Sequence, residues 1–224
     1  MEENHIKKIE YLILCTALEF PANLIYVGLD WGIPSSLVAI AARRLFENGD
    51  ILANVATGDI TFPYNREEST QKIDLTTGIA LTMSEIEANL MGKLEVKYYL
   101  TPQGGANWET IARPNWQQYL KWSSVPGSTE STIIAQDREA ISQLLQFNPY
   151  LEGKEHIPET VIWELLEPWE ATYWKTLPHA SKVSYQIQAV DNSVSASPEF
   201  SKESEKAYKW YGEVREWYNK PEWF

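Results

Sequence analysis

At 224 residues, with 44% apolar and 22% charged side chains, the chain has the composition of a folded globular protein and is long enough to bury a core without a covalent staple. A single cysteine, Cys15, excludes an internal disulfide and any structural zinc site built on two or more thiolates. The net charge of −12 is spread evenly, with 9 basic and 15 acidic residues in 1–120 and 10 and 16 in the rest, so neither half carries the basic excess expected of a nucleic-acid-binding domain.

The amino terminus, Met-Glu-Glu-Asn-His, lacks the basic stretch and apolar run of a secretory signal. The longest apolar stretches, such as Tyr11 to Leu18, are far shorter than the roughly 20 residues needed to cross a bilayer. These features predict a soluble, cytoplasmic protein with no membrane span.

In chain order, Asn4 caps a first helix over 5–18, with Ile6, Ile9, Leu12, Ile13 and Cys15 at helical spacing and Cys15 read as a core thiol. Residues 21–32 read as irregular. Pro34, Ser35 and Ser36 open a second helix over 36–48, whose apolar face is Leu37, Ile40, Ala41 and Leu45 and whose stop is Gly49. A short strand follows over 51–55, and 57–81 reads as a long loop or irregular hairpin. Thr82 and Glu85 form a capping box for a helix over 83–91. Residues 93–100 alternate, with Leu94, Val96, Tyr98 and Leu100 on one side and Lys93, Glu95, Lys97 and Tyr99 on the other, which predicts a half-buried strand. Thr101 and Pro102 then start a helix over 102–113.

The Ser-, Thr-, Pro- and Gly-rich stretch 123–132 reads as a linker between two domains. Beyond it, 137–147 is helical by pattern, 183–189 alternates as a strand, and 201–218 is an amphipathic helix. Residues 159–174 suit either a helix or strands, with Pro168 favouring a break.

Leu100-Thr101-Pro102-Gln103-Gly104 leaves an alternating strand and opens a helix, and in this it resembles the end of the wing in winged-helix transcription regulators, which often carry a Leu-Thr-Pro-x-Gly sequence there. The helix 36–48 with Gly49-Asp50-Ile51 resembles their recognition helix and first wing strand. This resemblance, over residues 5–113, implies an α+β protein with an N-terminal winged-helix-like domain at 1–122. A smaller mixed α/β, aromatic-rich region follows at 133–224.

In such a domain Arg43 and Arg44 would be the DNA contacts. They are nearly offset by Glu47 and Asp50, and the wing region sets Arg66 and Lys72 against Asp59, Glu67, Glu68 and Asp74. About 25 residues also separate the first wing strand from the next helix, an insertion that ordinary regulators do not carry. The sequence thus speaks against nucleic acid as the partner.

Ten tryptophans is a high number for this length, and Trp163, Trp169, Tyr173 and Trp174 lie close together. Trp163, Trp169 and Trp174 are the candidate partner contacts, with ordinary core packing as the plainer reading. The tail residues Trp210, Tyr211, Trp217, Tyr218, Trp223 and Phe224 are expected to dock on the protein's own body. His5, His156 and His179 are isolated from one another, and Glu164, Glu167 and Glu170 read as a solvated stripe. Gln103-Gly104-Gly105-Ala106-Asn107 lacks the Lys-Ser/Thr of a phosphate loop and reads as close backbone packing.

No catalytic, cofactor or metal constellation emerges, which predicts a non-enzyme without a cofactor. The leading expectation is a non-catalytic cytoplasmic protein-interaction module for a basic protein partner. Its composition is similar to that of bacterial immunity proteins, which neutralise cationic toxins. The alternative is a winged-helix DNA-binding transcription regulator reading through residues 36–48.

Overall fold

The computed structural model describes residues 2–55, 78–124, 128–191 and 197–221. Over these residues the chain is a mixed α+β protein divided into two compact units. Of the described residues, 2–55, 78–112 and 172–176 belong to the first unit and the rest to the second. The boundary expected within 123–132 therefore falls earlier, at Ala112–Arg113. The expected linker is bounded instead by two antiparallel strands, β3 (Leu120–Ser124) and β4 (Glu130–Ala135), with Ser123 opposite Thr132. Ser123, Ser124, Ser131 and Thr132 are ladder residues, a role that hydroxyl side chains fill well.

The first unit runs α1 (Glu2–Thr16), α2 (Leu24–Trp31), α3 (Ser35–Glu47), β1 (Ile51–Val55), α4 (Met83–Leu90), β2 (Val96–Leu100) and α5 (Pro102–Ala112). The helices over 5–18, 36–48, 83–91 and 102–113 thus form within a few residues of expectation, and Thr82 and Glu85 close the expected capping box. Helix α2 falls where an irregular segment was expected. Its apparent breakers are caps: the Asn23 side chain accepts the Ile25 N–H at 3.0 Å, and Gly32 ends the helix at a left-handed φ of 62°.

β1 and β2 pair antiparallel, Ile51 opposite Leu100 and Ala53 opposite Tyr98. Ala22, between α1 and α2, adds a one-residue bridge to Tyr98 on the outer side of β2, with N···O distances of 2.9 and 2.8 Å. Ile79 does the same to Ala53 on the outer side of β1. β2 is not half-buried as its alternation suggests, because Tyr99 is only 1% exposed. It sits opposite Leu52, and its hydroxyl would lie 1.8 Å from a Cβ at Gly78, so the bare Gly78 backbone covers it.

α3 packs against α1, α2 and α4, which buries Val38, Ala39, Ala41, Ala42, Leu45 and Phe46. That face is wider than, and rotated from, the expected stripe of Leu37, Ile40, Ala41 and Leu45. Leu37 is half-buried and Ile40 is 41% exposed.

The second unit contains β3, β4, α6 (Arg138–Glu152), β5 (Lys154–His156), β6 (Ile162–Leu166), β7 (Trp169–Glu170), β8 (Thr176–Leu177), β9 (Ala180–Ala189) and α7 (Pro198–Arg215). Only Thr176 of these belongs with the first unit. β9 is the centre of an antiparallel sheet. β4, followed by β3, lies on one side of it, and β5 and β6 lie on the other. The ambiguous stretch 159–174 resolves into strands, with Pro168 between β6 and β7.

Val183, Tyr185 and Ile187 on β9 meet Ile133 and Ala135 on β4 and Ile141, Leu144 and Leu145 on α6 in one core. α6 runs a turn past the expected stop at Phe147 because Pro149 is accommodated within it, and Gly153, at φ 65°, ends it. Contacts to α7 hold this extra turn, where Tyr150 packs on Phe200 at 5.0 Å and Phe147 on Trp210 at 5.4 Å.

Leu45→Ala should lower stability by about 2–5 kcal/mol, the range for truncating a buried leucine, and half-buried Leu37→Ala by less than half as much. Urea denaturation of both variants checks this, and equal losses would mean that α3 faces its core differently.

Candidate functional site

The solvent side of α3, where the sequence places Arg43 and Arg44, is built from the residues its neighbours leave uncovered. Ser36, Ile40, Arg43 and Glu47 recur at three- and four-residue spacing and are exposed. Arg43 Nε lies 2.6 Å from Glu47 Oε1 on the same helix. Arg44 reaches across to α1, donating to both carboxylate oxygens of Glu3 at 2.9 and 3.0 Å, and its Nε is 2.8 Å from Glu10 Oε1. A bidentate fork of this kind fixes geometry as well as charge.

These hydrogen bonds from Arg44 hold the Glu3 carboxyl below its ordinary range. Burial pushes Glu10 up, with Arg44 pulling it back. Arg44 is thus neutralised by Glu3 and Glu10 of α1 rather than by Asp50. Asp50 is 4% exposed and accepts hydrogen bonds from Asn107 Nδ2 at 2.7 Å and Gln103 Nε2 at 3.3 Å.

Large apolar side chains are exposed on α2, which packs against α3. Tyr26 is 57% exposed, Leu29 70% and Trp31 46%, all on α2. The sequence carried a signal for them. Leu24–Trp31 has one charged residue, Asp30, so with Leu24 and Val27 buried its outer side is still largely apolar.

The candidate tryptophans have different placements. Trp174 is buried in the first unit, its indole donating to the Leu18 carbonyl at 2.9 Å and its ring edge-on to Trp108 at 6.1 Å. A Cβ at Gly105 would lie 2.0 Å from its ring, so the second glycine of Gly104-Gly105 is required by this contact. Trp169 is 3% exposed in the second unit and stacks on Tyr119 at 6.0 Å. Neither offers a ring to solvent. Trp163 is half-buried against the second core with the Arg138 guanidinium 4.3 Å from its ring centroid.

The described part of the tail docks as expected. Trp217 is 8% exposed and packs on Tyr119 at 4.5 Å and Trp116 at 4.9 Å. Trp223, Phe224, Arg66 and Lys72 lie outside the described residues.

His5 and His179 are exposed, and His156 sits edge-on to Tyr185 at 6.2 Å. Among the described residues no group of three or more His, Cys, Asp or Glu could hold a metal ion, and no helix is long and apolar enough to cross a membrane. Cys15 is a poor nucleophile. Burial pushes its thiol up to about 11, and Trp108 Nε1 lies 3.2 Å from its sulfur.

No family model, curated protein or solved structure matches the chain.

Because the thiolate is the reactive form, Cys15 in the native protein should alkylate slowly at pH 8, with a rate that climbs until about pH 11. Iodoacetamide labelling followed by mass spectrometry checks this against urea-unfolded protein. Native labelling as fast as unfolded labelling at pH 8 would contradict the burial assigned to Cys15.

Proposed function

We propose that the chain is a non-catalytic protein-interaction module for a basic partner, built on a winged-helix-like first unit. Support for the scaffold comes from the order of its parts. Three helices precede an antiparallel pair, a one-residue third strand enters between α1 and α2 at Ala22, and the sheet order is Ala22, β2, β1. Within that frame α3 stands in the place of the reading helix.

The observation that carries the reading is the chemistry of the α2 and α3 surfaces. Both arginines of α3 are paired within the chain, while Tyr26, Leu29, Trp31 and Ile40 are exposed. Phosphate recognition needs cations available to replace counterions, whereas protein recognition uses aromatic and aliphatic anchors. The net charge of −12 steers a cationic partner toward the chain and repels a polyanion. The compositional similarity to immunity proteins supports the same class of partner, a basic protein.

Lysine- and arginine-rich amphipathic peptides, arrayed and then titrated by calorimetry at physiological ionic strength, test the reading. Tyr26→Ala and Leu29→Ala change exposed side chains, so both variants should fold, and each should weaken binding about tenfold, the loss typical of an interface anchor. Arg43→Ala should change it little. Binding indifferent to Tyr26 and Leu29 would remove this surface from the account.

A further inference from the structure

A pocket of about 210 Å³ in the second unit is lined, among the described residues, by Trp122 and Ser124 of β3, Leu151 and Glu152 of α6, and Tyr208 and Tyr211 of α7. We propose that this pocket is an aromatic cage that binds an alkylammonium cation, either a free quaternary ammonium compound or the side chain of a lysine. The assignment stands on the cage's own chemistry and does not depend on the partner surface of the first unit.

Three features favour a cation. First, three of the six lining side chains are aromatic, and their faces carry negative potential. Trp122 and Tyr211 meet at 88° with centroids 5.9 Å apart, so they form two perpendicular walls of a corner. Second, Glu152 supplies a carboxylate and no cationic side chain lines the pocket. Third, Leu151 and Glu152 end α6, the negative end of the helix dipole, and the last turn of α6 has no basic residue of its own. An anion would meet repulsion from both the carboxylate and the helix end. A neutral ligand would make no use of the carboxylate.

The walls are held in place before any ligand arrives. The Tyr208 hydroxyl donates to the Leu151 carbonyl at 3.0 Å, and the Trp122 indole donates to Ser131 Oγ at 3.3 Å. Ser204 Oγ, one turn before Tyr208 on α7, donates to the Tyr150 carbonyl at 3.3 Å and ties α7 to the end of α6. Two cations of the chain lie nearby: Lys154 Nζ is 3.6 Å from Glu152, and the Arg215 guanidinium is 5.9 Å from the centroid of the Tyr211 ring. Both are long contacts, and a cation bound in the pocket would compete with them. The volume is below the few hundred Å³ typical of whole-ligand pockets, which suits a head group rather than an entire cofactor.

The test is a titration of the ¹⁵N-labelled full chain, following the Trp122 indole resonance, assigned by its loss in Trp122→Phe. Tetramethylammonium chloride should give a saturable shift that sodium chloride at equal ionic strength does not. A second titration uses Nα-acetyl-lysine methylamide. Tighter binding of tetramethylammonium would identify the free quaternary ion as the source, and tighter binding of the lysine derivative a protein side chain. Tyr208→Ala, at an exposed position, and Tyr211→Ala should each weaken binding about 5- to 30-fold, and Glu152→Gln should weaken it and flatten its salt dependence. Circular dichroism confirms that each variant is folded. No saturable shift with either cation, or affinities unchanged in folded Tyr208→Ala and Glu152→Gln, would overturn the assignment.

Discussion

The first unit depends on one turn, Asn48-Gly49-Asp50, and on how tightly the start of α5 closes over it. The Thr101 hydroxyl donates to the Gly49 carbonyl at 2.7 Å, the Thr101 amide donates to the Asp50 carbonyl at 3.0 Å, and Gln103 Nε2 donates to the Asn48 carbonyl at 2.6 Å. A Cβ at position 104 would stand 1.9 Å from the Asp50 carbonyl oxygen, so only glycine allows this approach. The turn thereby sets where α3 ends, how β1 enters register with β2 at Ile51 and Leu100, and where α5 begins. The Leu-Thr-Pro-x-Gly sequence acts as a structural clamp. The buried Asp50 carboxylate belongs to the same clamp through Asn107.

Before that turn α3 packs against α1, and α1 brings the carboxylates that pair with Arg44. Glu3 and Glu10 are 41 and 34 positions away from Arg44 in the chain, yet they hold its guanidinium from three nitrogens. A reading helix needs side chains free to reach phosphates and base edges; here Arg44 is held by α1 and Arg43 pairs with Glu47 on its own helix. Beside these paired arginines, Tyr26, Leu29, Trp31 and Ile40 are exposed on α2 and α3. In the second unit the same economy of cations holds at the pocket between β3, α6 and α7, where rings and a carboxylate converge without a basic side chain in the lining.

The parts of the fold that were legible in the sequence are those with local causes. Thr82 and Glu85 announce α4, Gly49 announces the end of α3, and the alternation of Val183, Tyr185 and Ile187 announces β9. What sequence reading missed depended on distant partners. Asn23, Gly28 and Gly32 look like a loop until Asn23 and Gly32 are seen to cap a helix, and Pro149 looks like a stop until α7 is seen to pack on the turn that contains it. Tyr99 belongs on a polar face by alternation, but the backbone of Gly78 covers it. Trp163, Trp169 and Trp174 are near in sequence, but their surroundings differ because residues 172–176 belong to the first unit. The pocket lined by Trp122, Glu152, Tyr208 and Tyr211 joins three elements far apart in the chain, so no local spacing could reveal it.

The central claim, that α3 is a scaffold helix whose arginines are occupied, is tested most directly by fluorescence anisotropy of random and native upstream DNA duplexes across a range of salt. The account predicts no binding tighter than about micromolar at physiological salt and a shallow salt dependence, since few phosphate counterions would be released. Submicromolar binding with a steep salt slope, abolished in the Arg43→Ala, Arg44→Ala double variant, would contradict it and make α3 a reading helix.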